Sequence, residues 1–126
     1  MPATDLWPDF QIEVKPRGVR QMLEDAGRGL KEKTKGLVEF RVWAMDSHNT
    51  DKPFRYRCDL HVENIDYAYR LLEVDTSATG FPVAVRDGSG EFAAADEPAL
   101  LAALERIFRS DRTVAIVQTL VSMAYE

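Results

Sequence analysis

Apolar and polar positions follow three successive patterns along this chain. Between Pro16 and Gly36, Val19, Met22, Leu23, Ala26 and Leu30 recur at helical spacing, opened by a proline and closed by a glycine, which predicts a first helix. Gly27 and Gly29 inside that stretch each cost about 1 kcal/mol relative to alanine. They imply either close packing against another element or a weak helix. From Val38 the period becomes two. Val38, Phe40, Val42 and Ala44 alternate with Glu39, Arg41, Trp43 and Met45, and beyond a polar loop Phe54, Tyr56, Cys58, Leu60 and Val62 resume the apolar column. The run 67–76 predicts a third strand, with Tyr69, Leu71, Glu73 and Asp75 on one face and Leu72 and Val74 on the other. The runs 81–86 and 91–95, separated by the turn-forming DGSG, predict a fourth strand and a short fifth. Pro82 suggests that the fourth begins at an edge of the sheet.

Helical spacing returns at the end. Asp96 is placed as an N-cap, Pro98 suits the first turn, and Leu100, Leu101, Leu104, Ile107 and Phe108 form one apolar stripe. Ser110 then caps a last helix carrying Val114, Val117, Leu120 and Val121. The expected fold class is therefore α+β: an N-terminal helix, an antiparallel meander of four to five strands, and two C-terminal helices. All the helices pack on the face that carries Phe40, Val42, Tyr56, Cys58, Leu60, Leu72 and Val74. Residues 1–16 read as an N-terminal arm, or as an edge strand built on Phe10, Ile12 and Val14. Residues 17–126 read as a single domain.

Strand register can be tested against charge, because directly opposed residues prefer complementary partners. A loop centred near Thr50 places Arg41 opposite Asp59, Glu39 opposite His61 and Trp43 opposite Arg57, while Phe40 meets Leu60 and Val42 meets Cys58. A turn centred near Ile65 sets Arg57 against Glu73 and Arg55 against Asp75. The expected cross-strand columns are Glu39, His61 and Tyr69; Arg41, Asp59 and Leu71; and Trp43, Arg57 and Glu73. Each acid has a basic neighbour, as the solvated face of an antiparallel sheet requires.

Composition narrows the functional classes. The 126 residues are 45% hydrophobic and 29% charged, ordinary globular usage for one domain. With 21 acids against 16 bases the net charge is -5, which gives no general attraction to nucleic acid or anionic lipid. Cys58 is the single cysteine, so neither a disulfide framework nor a thiolate metal cluster can form within the chain, and a reducing compartment fits. The N-terminal residues lack the basic and apolar segments of a secretory signal, and no run is long enough to span a bilayer. A cytoplasmic location is the expectation, with no membrane association and no cofactor.

Four chemistries remain to be weighed. Asp-x-His occurs twice, at Asp46–His48 and Asp59–His61, but the register puts the pairs at opposite ends of the hairpin, too far apart to share an ion at about 3.3 Å per residue. A hydrolytic or nuclease-type enzyme would centre on Asp59, His61 and Glu73, with His61 as general base. The stretch Leu71–Thr76 resembles the second half of a restriction-type nuclease motif, but Asp75 stands where that motif has lysine, and no family assignment follows. Single-stranded nucleic-acid binding would use Arg41, Arg55 and Arg57 beside Trp43 and Tyr69, against the neutralising Asp59, Glu73 and Asp75. The leading expectation is a non-enzymatic interaction domain, a homodimer or a binder and inhibitor of a partner protein. Its contact surface would be Trp43, Met45, Arg55, Arg57, Tyr69 and Leu71 on an open sheet face, unless an arm bearing Leu6, Trp7 and Phe10 covers that patch.

Overall fold

A computed structural model of the protein describes residues 6–9, 18–47 and 50–125. The expected edge strand at Phe10, Ile12 and Val14, the opening proline Pro16 and the second metal candidate His48 lie outside the described residues. The elements run α1 (Val19–Gly27), α2 (Leu30–Lys33), β1 (Glu39–Asp46), β2 (Phe54–Val62), a 3-10 turn (Glu63–Ile65), β3 (Tyr67–Ser77), β4 (Gly80–Asp87), β5 (Gly90–Ala94), α3 (Glu97–Phe108) and α4 (Asp111–Tyr125). The fold is α+β, as the periodicities predict: one antiparallel sheet in the order β1-β2-β3-β4-β5 with helices before and after it.

The helices gather on one face. Helix α1 lies against β1, α3 against β5 and β4, and α4 against β2 and the 3-10 turn. Between the layers Met22 and Leu23 of α1 meet Cys58, Leu60 and Val62 of β2, Leu72 and Val74 of β3, Val83 and Val85 of β4, and Leu100, Leu104 and Leu120 from the C-terminal helices. Full burial of one such side chain contributes about 1.5–3 kcal/mol, so this layer supplies the main folding force.

Local chemistry sets the boundaries. Helix α3 starts where Asp96 accepts a hydrogen bond from the Ala99 amide at 3.0 Å, and α4 where Ser110 Oγ accepts from the Thr113 amide at 3.2 Å. The helical stretch before the sheet closes in a left-handed turn at Gly36, with φ +82°, whose amide donates to the Lys31 carbonyl. Thr34 then staples the chain into β1. Its buried Oγ lies 3.0 Å from the Val38 amide and 3.1 Å from the Val38 carbonyl.

Several details depart from the periodic expectation. The first helix is two segments, broken around Arg28 and Gly29. Leu101 and Val114, placed by spacing in the buried stripes, are exposed, and the buried positions of α4 are Thr113, Leu120 and Ala124. Strand β4 is interior, not an edge: β5 continues the sheet beyond it. Pro82 is tolerated because it precedes Val83, where the ladder to β5 begins, so the amide it lacks is not needed there.

The largest departure lies in β3. Cys58 faces Leu72, but the next residue, Asp59, faces Arg70, so Leu71 is an extra residue with no partner on β2. Such a bulge reverses the side-chain alternation beyond it. Leu60 therefore faces Tyr69, and His61 faces Ala68.

Candidate functional site

The face of the sheet away from the helices is built in rows. Met45, Arg55, Asp75, Ala84 and Ala93 form one; Trp43, Arg57, Glu73, Arg86 and Glu91 the next; then Arg41, Asp59 and Arg70; then Glu39, His61 and Ala68. The β1–β2 register and the pairs Arg55–Asp75 and Arg57–Glu73 are those that charge complementarity predicts. The columns ending in Tyr69 and Leu71 are corrected by the bulge. Both residues join the helix side of the sheet, where Leu71 is buried in the core and Tyr69 packs on it. They do not share a face with Trp43 and Met45.

Asp75 is the anchor of the charged face. Only 3% of it is exposed, yet it accepts from Arg55 Nε at 2.8 Å and from Arg86 Nη1. Burial pushes its carboxyl up, but the two guanidinium groups outweigh that and hold it below the ordinary aspartate value. Arg86 also reaches Glu73 Oε1 at 3.3 Å, and Arg70 approaches the other Glu73 oxygen at 3.9 Å. Arg86 was missing from the expected ladder, which stopped at the third strand. Its signal was available, since it alternates with Val83 and Val85 and its partner across the sheet is Glu73.

Asp59 is equally buried and lies beside Arg57, whose Nε is 3.2 Å from Oδ2 but off the line of a hydrogen bond. Among the described residues Asp59 Oδ1, Arg57 Nε and His61 Nδ1 have no hydrogen-bond partner. Arg41, although opposite Asp59, pairs with Glu39 at 3.6 Å. The three residues of the catalytic alternative thus share a face, with Asp59 and His61 two apart on β2 and Glu73 across from Arg57. Arginines pair with both acids: Arg57 with Asp59 along β2, and Arg86 with Glu73 across β3 and β4, the second of which supports strand register. No group of three or more metal-ligating side chains occurs among the described residues. Cys58 sits in the core, and burial drives its thiol far above the ordinary range, away from nucleophilic use.

Toward the loop end of the β1–β2 hairpin, large apolar side chains reach solvent on both faces. Trp43 is 45% exposed and Met45 37% on the charged face, and Phe54, across from Asp46, is 50% exposed on the other. Phe54 continues the apolar column of β2 but stands at the surface. The acid opposite it was the available sign that the column had left the core. Leu6 and Trp7 are also exposed, so neither is buried against Trp43.

Compared with protein-family models, with curated proteins and with solved structures, the chain matches none. Among the described residues no helix is long and apolar enough to cross a membrane.

Proposed function

We propose that this chain is a non-enzymatic protein-interaction module, a homodimer or a binder and inhibitor of a partner protein, that makes contact through the outer end of the β1–β2 hairpin. One observation carries the reading: Trp43 and Met45 on one face and Phe54 on the other leave large apolar side chains in water on both sides of the same two strands. Exposed aromatic and methionine side chains gathered beside arginine are the composition that protein contacts favour. Arg55 and Arg57 flank them, tethered by Asp75 and Asp59, so the polar border is held in place before any partner arrives. Among the described residues β1 pairs on one side only, which adds an open strand edge to the surface.

The test compares wild type with Trp43→Ala and Phe54→Ala by sedimentation velocity over a concentration series, and uses the same three proteins as baits in cell extract. The expected result is a concentration-dependent dimer, or one stoichiometric captured protein, that both substitutions abolish without lowering the melting temperature. A monomer at every concentration whose captured proteins are the same for all three baits overturns the proposal.

A further inference from the structure

A second surface lies on the opposite, helical side of the sheet. A cleft of about 680 Å³ opens between α1–α2, α3 and α4, well within the roughly 300–1,000 Å³ of small-ligand pockets. Its accessible apolar surface is Leu30, Phe40 and Phe108, which lie over the buried core side chains Leu60, Leu71 and Leu104. Its lining residues that reach solvent are Gly29, Lys33, Leu101, Glu105 and Arg109, which mark the mouth. Gly29, beside the helix break, is exposed at the mouth, and a Cβ added there would meet no atom within 4 Å.

Charge at the mouth selects the head group. Lys33 and Arg109 have no ion-pair partner among the described residues, and Glu105 offsets only one of the two cations. The remaining single positive charge, above an apolar floor, suits a monoanion attached to a hydrocarbon chain. We propose that this cleft binds a single-chain amphiphile carrying one carboxylate, with the chain against Leu30, Phe40, Leu101 and Phe108 and the head group at Lys33 and Arg109. The site is independent of the hairpin surface and of any protein partner bound there.

The experiment is calorimetric titration of the full chain, below micellar concentrations, with dodecanoate, dodecanol and dodecyltrimethylammonium. Wild type should bind one dodecanoate per chain, dodecanol at least about tenfold more weakly because the charge-assisted contacts are lost, and the ammonium not at all. Leu101→Asp, which sets a second carboxylate at the mouth, should weaken dodecanoate binding at least about tenfold. The double variant Lys33→Glu, Arg109→Glu should exchange the preference from carboxylate to ammonium. Both of its positions are at the surface, so the exchange tests binding and not folding. Failure of wild type to saturate with dodecanoate overturns the proposal, as does equal affinity for dodecanol or a double variant with unchanged preference.

Discussion

Gly27 and Gly29 lie two residues apart at the same helix break and have opposite roles. A Cβ at Gly27 would fall about 2.0 Å from the Phe40 ring, a ring that also packs edge-on against Phe108 with centroids 5.4 Å apart. The ring cannot retreat without disturbing that contact. Gly27→Ala should therefore destabilise the protein by about 1–3 kcal/mol, the usual cost of overpacking. Gly29→Ala meets open space at angles any residue adopts, and should stabilise by about 0.5–1 kcal/mol through the lost freedom of the unfolded chain. Urea unfolding of the two variants decides the matter; equal shifts of the same sign would contradict the assignment. Of the two explanations that sequence offers for these glycines, close packing holds for Gly27 and not for Gly29. Spacing could not distinguish them, because the difference lies in which glycine faces a residue of β1.

Strands show how far alternation carries and where it stops. The β1–β2 register, and the β2–β3 register up to Cys58, were legible because charge and apolar columns agree on both faces there. Beyond Cys58 the extra residue Leu71 changes the parity of β3, and nothing in Tyr69–Leu72 announces it, since an aromatic residue and a leucine suit either face. The expected six-residue patch failed at that step, losing Tyr69 and Leu71 to the core side while Trp43, Met45, Arg55 and Arg57 kept their places. The correction has a measurable consequence. Tyr69→Ala removes a ring packed on the core and should lower stability by about 1–3 kcal/mol, somewhat below the range for fully buried aromatics. Trp43→Ala, at an exposed position, should stay within about 0.5 kcal/mol of wild type. Thermal or urea unfolding showing the reverse order would restore Tyr69 to the wet face and remove the bulge.

At the scale of the whole molecule, the sheet divides the chain into a helical side with the cleft and a charged side, and each side carries an ionised carboxylate that stabilises the fold. Asp75 is held down by Arg86 and Arg55 despite its burial. Asp87, the last residue of β4 and on the helical side, is likewise held below its usual value: burial opposes this, but the Ser89 hydroxyl, the Ser89 and Gly90 amides and the charge of Arg112 prevail. A carboxyl with a lowered value in the folded state stabilises it fully above the unfolded value, about 3.9 for aspartate, and that stabilisation is lost as pH falls through the folded value. Wild type should therefore lose stability on acidification from pH 5 towards 2, in a window set below about 3.9 by these two groups. Acidification also discharges the other acids and leaves the 16 lysines and arginines unbalanced, so self-repulsion contributes to any single curve. The double variant Asp75→Asn, Asp87→Asn shares that repulsion but lacks the two titrations. It should be less stable than wild type at pH 7, with Asp75 alone accounting for about 1–3 kcal/mol through its lost charge-assisted hydrogen bonds, and its stability should fall less steeply with acid. Urea midpoints measured for both proteins across the range separate the two causes. Converging curves identify Asp75 and Asp87 as the acid-sensitive element of the fold, whereas parallel curves would assign acid sensitivity to net charge alone.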